Sequence, residues 1–212
     1  MTNIWVLIPA HRPALGQLRD CMRVLGELAS HVVVVTNGEH PLTEHETHTH
    51  VIDDRGDINI SRWWNKGLDW IAEHDETIHH VLVLNADARI QPASVARLSL
   101  ALERNPEVVQ AGPMPFLGTE IRTVAGPVDP PLRIPGYCFM LTSRNPIRAD
   151  EQFRWWCGDD DLEWRAREAG GALRLGRIPF DHLGDGMPRG DLMELAKADL
   201  LRFEEKWGIR PW

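Results

Sequence analysis

Val81-Leu82-Val83-Leu84-Asn85-Ala86-Asp87 is an unbroken apolar run that stops on an amide and a carboxylate. Four apolar residues in a row leave no polar face, so this reads as a strand covered on both sides, as in a parallel α/β sheet. The flanking sequence repeats the theme. Ile4 to Ile8 is a first strand, and Leu15, Leu18, Met22, Leu25 and Leu28 keep helical spacing before a second strand, Val32 to Val35, that ends in the turn Thr36-Asn37-Gly38. A weaker strand at Val51-Ile52 precedes a helix from about Asn59 to His74, and a further helix starts near Pro92 and stops before Asn105-Pro106. Strands alternating with helices predict βα units on a mostly parallel central sheet, Rossmann-like, flanked by helices. In such sheets ligands sit beyond the carboxyl ends of the strands, where Asp87 is placed to hold a divalent cation against phosphate oxygens. The same tripeptide would equally make an Asx turn before a helix.

From Gly112 the rhythm changes, because six of the fifteen prolines lie between Pro113 and Pro135 and imply a long extended segment. A strand at Tyr137 to Leu141 follows, then a helix opening on Asp159-Asp160-Asp161, running to Ala169 and stopping at Gly170-Gly171. One or two acids are accounted for by the helix N-terminus. Three, beside Trp155, Trp156 and Trp164, are more than a cap needs, and crowded carboxylates near water-excluding indoles suit a general base. A strand pair around Leu173 to Phe180 leads to Asp181-His182, whose imidazole is a candidate to complete a metal site with Asp87. After the glycine-rich stretch Gly184 to Gly190, a last helix starts at Asp191 with Glu194 in capping-box position.

At 212 residues with 43% hydrophobic composition the chain fits one large domain or two small ones with a sizeable core, and its net charge of -8 argues against generic binding to nucleic acid or anionic lipid. Cys21, Cys138 and Cys157 are scattered and read as buried free thiols in a reducing compartment. The N-terminus lacks the basic and cleavage-site features of a signal peptide, and no window reaches a membrane span, so a cytoplasmic location is expected. Nine tryptophans against one tyrosine imply a need for large indole surfaces. Trp63 and Trp64 are adjacent on a helix, so one is expected in the core and the other on a cleft. His40, His45, His48 and His50 among glutamates read as a solvated loop. No GxGxxG, GxxxxGK[ST], GxSxG or HExxH occurs, which removes dinucleotide, P-loop, hydrolase and zincin chemistry. Phosphate must then be held by a metal and basic side chains, with Arg12, Arg55, Arg62, Lys66 and Arg189 as candidates.

Taken in order, these segments resemble the family 2 glycosyltransferases, inverting enzymes of the GT-A fold. Val6-Leu7-Ile8-Pro9-Ala10-His11 looks like the family's opening strand, and Val32 to Gly38 like its second, with Thr36 where an acidic residue often contacts the base. Asn59 through Arg62, Asn65, Gly67 and Leu68 are similar to its Asn-rich nucleotide segment, and Leu84-Asn85-Ala86-Asp87 to its Asp-x-Asp position. Gly136-Tyr137-Cys138-Phe139-Met140-Leu141 is similar to its Gly-x-x-x-Met-Leu strand beside the sugar, and Asp159 to Arg165 to its Glu-Asp-x-Asp-Leu-x-x-Arg motif. The alignment puts the base at Asp159, or at Asp160 if slipped by one, and leaves Gly158 where the family has Glu.

The resemblance implies a single domain over 1–212, with a nucleotide-sugar half at 1–111, an acceptor half at 112–190 and a C-terminal helix at 191–212. It implies donor contacts from Pro9, His11, Arg12, Thr36, Asn37, Arg62, Asn65, Asn85, Ala86 and Asp87, and Mn2+ or Mg2+ on Asp87 and His182. It also implies sugar or acceptor contacts from Gly136, Tyr137, Trp155, Trp156 and Asp161. The expected reaction moves a sugar from a nucleoside-diphosphate-sugar to a hydroxyl acceptor, with homo-oligomerisation open. The alternative is a binding module on a degenerate transferase scaffold.

Overall fold

The computed structural model describes residues 3–11, 15–26, 28, 31–38, 49–114, 118–129, 132–184 and 190–211. Arg12, Arg189, the His40–His48 segment and Asp185 to Arg189 of the glycine-rich stretch lie outside them. In chain order the elements are β1 (Ile4–Ala10), α1 (Leu15–Leu25), β2 (Val32–Thr36), β3 (Thr49–Asp53), α2 (Ile60–His74), β4 (His80–Leu84), β5 (Ala88–Ile90) and α3 (Pro92–Arg104). They continue as β6 (Gln110–Met114), β7 (Glu120–Arg122), β8 (Cys138–Thr142), α4 (Gly158–Glu168), β9 (Ala172–Gly176), β10 (Phe180–His182) and α5 (Asp191–Trp207).

One sheet of order β3-β2-β1-β4-β8-β6-β9-β7 runs through both halves of the chain. The expected parallel ladders join β3, β2, β1 and β4, and another joins β6 to β9, while β8 is antiparallel to both its neighbours and β7 is antiparallel to β9. Alternation along each strand sends side chains to opposite faces. Val6, Ile8, Val32, Val34, Leu82 and Leu84 pack with Leu18 and Leu25 of α1 and Val95, Leu98 and Leu102 of α3. Leu7, Val33, Val35, Val81 and Val83 pack with Trp63, Leu68 and Ile71 of α2 and Leu162 and Ala166 of α4. Outside α4, Phe203 of α5 closes a third cluster with Phe153, Cys157 and Trp164. All three cysteines are free and buried, and no described helix is long and apolar enough to cross a membrane.

Four expectations are corrected. The strands near Leu173 and Phe180 do not pair with each other: β9 joins the main sheet beside β6, and β10 pairs antiparallel with β5. The proline-rich half contributes a core strand, β6, whose ladder to β8 ends at Ala111, so Pro113 lies past it. Asp191 does not cap α5; Gly190 occupies the cap position with a left-handed φ of 57° and no side-chain cap bond. Trp63 and Trp64 are both buried, because α2 is covered by the sheet on one flank and by the approach to α4 on the other. Trp63 stacks on His11, and Trp64 meets Phe139 edge-on and lies beside Gly158.

His80 opens β4 fully buried, and neither ring nitrogen has a partner among the described residues. Burial, reinforced by nearby Arg144, pulls its pKa down from 6.5 to about 4. The unfolded chain takes up a proton near pH 6.5 that the fold refuses until about pH 4, so this contribution to stability is intact above pH 6.5 and lost as pH falls. The expected loss across the window is about 3 kcal/mol. His80→Leu should flatten that acid limb in urea unfolding at pH 7 and pH 4; equal acid losses in variant and parent would refute the assignment.

Candidate functional site

The parallel ladders align the carboxyl ends of β1, β2 and β4, so His11, Asn37 and Asn85 to Asp87 emerge at one edge of the sheet. Because β8 runs antiparallel to β4 with Leu84 opposite Cys138, Gly136 and Tyr137 enter β8 at the same edge. The β5–β10 ladder sets His182 opposite Ala88 and so beside Asp87.

At the centre, His182 Nε2 lies 3.3 Å from Asp87 Oδ2. This contact is the main cause holding the Asp87 carboxyl below the usual carboxylate range. The imidazole stacks flat on the only tyrosine, Tyr137, at a centroid distance of 3.9 Å and an interplanar angle of 3°. A Cβ at Gly184 would lie 2.6 Å from Asp87 Oδ2 and 3.3 Å from His182 Nε2, so only glycine leaves this corner open. A carboxylate oxygen and an imidazole nitrogen converging in an open corner suit Mn2+ or Mg2+, with remaining ligands from phosphate oxygens and water. No cluster of three or more such ligands occurs among the described residues.

On the other side of Tyr137 stands the acidic run. A Cβ at Gly136 would lie 2.5 Å from Asp159 Oδ2, so the glycine makes room for this carboxylate. The three aspartates have different surroundings. Asp160 is buried, and both of its carboxylate oxygens accept from the same Arg133 nitrogen, Nη1, at 2.8 and 2.9 Å. Burial and the neighbouring Asp159 charge push its carboxyl up, and Arg133 opposes them. Asp161 is fully buried and accepts from Arg165 Nε at 2.9 Å and Trp207 Nε1 at 3.0 Å, with Lys206 Nζ at 2.7 Å. It ties α4 to α5, a different part from the acceptor contact expected of it. Asp159 is half-buried and forms no ion pair with another described residue.

The expected donor contacts divide in the same way. His11 is half-buried, with Nδ1 3.0 Å from Asn37 Oδ1, and lies between the stacked Trp63 and the edge-on Trp155. Asn85 donates its backbone N–H to the Tyr137 carbonyl, and its side-chain oxygen is buried without a partner among the described residues. Ala86 is buried, and its carbonyl accepts from Arg89. Pro9 pairs with Val35 inside the sheet. Thr36 is fully buried with its hydroxyl accepting the Gly38 N–H, so it has no surface to offer a base.

Asn65 is turned away from the edge, because both ends of its amide bind the Ala149 backbone and Nδ2 also reaches Glu151. Arg62 and Lys66 both bind Asp54, at 2.8 and 2.9 Å. Burial would raise the Asp54 carboxyl, but these two cations hold it below the usual range. Arg55 pairs with Asp53. The described basic candidates for phosphate are therefore held by acids of this chain. Trp155 is half-buried against His11, whereas Trp156 packs on the Phe203 cluster. Arg133 and Asp54 escaped sequence reading, since neither stands in a motif and each acts through a partner far along the chain or across a turn.

The fold, a mixed α/β domain whose central sheet is flanked by helices, matches that of solved GT-A glycosyltransferases. Two solved structures carry the likeness. GalNAc-T7, crystallised with UDP, GalNAc and Mn2+, matches with a TM-score of 0.63 at 12% identity, over 97% of this chain and 48% of that one. S. aureus TarS 1-349 matches with a TM-score of 0.58 at 11% identity, over 84% of this chain and 59% of that one. The chain thus spans about half the length of these structures. No family model matches it, and no curated protein does.

Proposed function

We propose that this chain is a metal-dependent inverting glycosyltransferase that moves a sugar from a nucleoside-diphosphate-sugar to a hydroxyl acceptor. The observation that carries the reading is the pair of consecutive residues Gly136 and Tyr137, which abut the Asp159 carboxylate on one side and the His182–Asp87 pair on the other. Such a site can serve both ends of a displacement at an anomeric carbon. Asp87 and His182 would hold the divalent cation, which neutralises charge on the departing diphosphate. Asp159 would take the proton of the acceptor hydroxyl from the opposite side of the sugar, so one displacement inverts the anomeric centre. Trp155 would offer an indole surface to the acceptor, and His11 with Asn37 would border the nucleotide. GalNAc-T7, whose fold this chain shares, was crystallised with UDP and Mn2+, which supports a nucleotide-sugar and a metal as ligands.

The test is a thermal-shift screen of nucleoside-diphosphate-sugars with Mn2+ or Mg2+, followed by assay of nucleoside diphosphate release with and without hydroxyl acceptors. A ligand at 100 times its Kd should add about 2.7 kcal/mol of stability. Metal-dependent binding with turnover is expected; no nucleotide-sugar raising the transition would sink the proposal. The buried Thr36, which brings no charge to a base, favours one second reading, a nucleotide- or carbohydrate-binding module. Binding without turnover in the same assays would identify it.

A further inference from the structure

Asp199 sits mid-way along α5, eight residues from its start, where an aspartate is a poor helix former and caps nothing. It is nevertheless fully buried. Its Oδ2 accepts three consecutive backbone N–H groups from a distant segment, Arg154 at 3.0 Å, Trp155 at 2.7 Å and Trp156 at 2.9 Å. Its Oδ1 accepts from Arg202 Nη1 at 2.9 Å. Successive amides converging on one oxygen form an anion-binding nest, here filled by the protein's own carboxylate.

The nest lies directly before the acidic run. Trp156 leads to Cys157, a non-glycine residue at a left-handed φ of 58°, whose carbonyl accepts the Asp161 N–H and so opens α4. The opposite flank of the segment is pinned by α2: the Arg154 carbonyl accepts the Ile60 N–H at 2.7 Å, and Gly158 packs so closely that a Cβ there would lie 2.6 Å from Ser61 Oγ. The segment is thus clamped between α2 and a single side chain of α5, with only two residues between the last bound amide and Asp159.

We infer that Asp199 is a positioning residue for the reacting site, holding Trp155 against His11 and fixing where the Asp159 carboxylate stands. The inference rests on the glycosyltransferase reading for its effect on rate, but the placement of the segment is measurable without it. In Asp199→Ala, the amides of Arg154 to Trp156 should exchange with solvent at least roughly 10-fold faster while those of β1 and β4 keep their protection. The His11 ring-proton shifts, which the Trp155 and Trp63 ring currents set, should move. Sugar transfer should fall roughly 10- to 100-fold in kcat, with the donor KM within about twofold.

Asp199→Asn keeps one carbonyl oxygen for the amides but loses the charge, so it should show the same changes in exchange, His11 shifts and rate at a smaller size, which covers the case in which the alanine variant folds poorly. Arg202→Met should leave all three readouts unchanged. Unaltered exchange and His11 shifts in both Asp199 variants would overturn the inference. So would lost protection with transfer unaffected, which would make Asp199 purely structural. A parent protein that transfers no sugar would instead defeat the glycosyltransferase reading, and exchange with His11 shifts would still decide the placement.

Discussion

Transfer by the Asp159→Asn variant is expected to fall by roughly 10²- to 10⁴-fold in kcat, the contribution of a positioned general base, with donor affinity and melting temperature unchanged. The selectivity of that effect follows from the surroundings of the three aspartates. Asp159 forms no ion pair with another described residue, so its amide isostere leaves nothing unsatisfied. Asp160 is the opposite case. Removing it as Asp160→Ala takes both acceptor oxygens away from Nη1 of Arg133, whose side chain is 22% exposed. That should cost up to about 3–5 kcal/mol of stability, the range for breaking a buried pair. Urea unfolding and steady-state kinetics on both variants separate the roles. Asp159→Asn retaining full rate, with folded Asp160→Asn inactive, would move the base to Asp160. Gly136→Ala supplies a second check, because its methyl would meet Asp159 Oδ2, Cγ and Cβ at 2.5, 2.7 and 2.8 Å; rotation of the carboxylate cannot clear the Cβ, so losses of both rate and stability are expected.

In Asp87→Ala, affinity for Mn2+ is expected to fall by more than roughly 100-fold, since even outer-shell changes at metal sites commonly cost 10- to 100-fold. The protein should stay folded, because Asp87 lies at the rim with its side chain 27% exposed. Donor affinity measured with the metal should drop to the level seen for the parent without it. Electron paramagnetic resonance of free Mn2+ reads the first effect, and calorimetry with nucleoside diphosphate reads the second. Unchanged Mn2+ binding in Asp87→Ala would remove this aspartate from the metal site. Metal binding should also weaken on acidification, as protons compete for the carboxylate and the imidazole.

The part of the site that could be read in the sequence is the part carried by local chain geometry. Asn85 to Asp87 declared itself because an all-apolar strand ending in a carboxylate has one place to go in a βα repeat, the carboxyl edge of the sheet. His182 was legible as a residue but not its route, since its place beside Asp87 depends on β10 leaving the main sheet to pair with β5. The choice between Asp159 and Asp160 was not legible, because one step along a helix turns a side chain by 100°. That rotation points one carboxylate at Gly136 and the next at Arg133. The tryptophan excess divided along the same line: Trp63, Trp64 and Trp164 are core, and Trp155 alone of the second adjacent pair meets His11.

The sequence by itself determined the alternation of strands and helices and the sheet edge at which His11, Asn37 and Asn85 to Asp87 emerge, because hydrophobic period and turn chemistry act over a few residues. The tertiary structure decided which acid is tied and which is not, through Arg133 twenty-seven residues away from Asp160, and which helix holds the tryptophan segment, through Asp199 forty-three to forty-five residues beyond it. Those partners are chosen by burial. A carboxylate taken out of water must find donors wherever the packed chain brings them, and no local pattern records where that is.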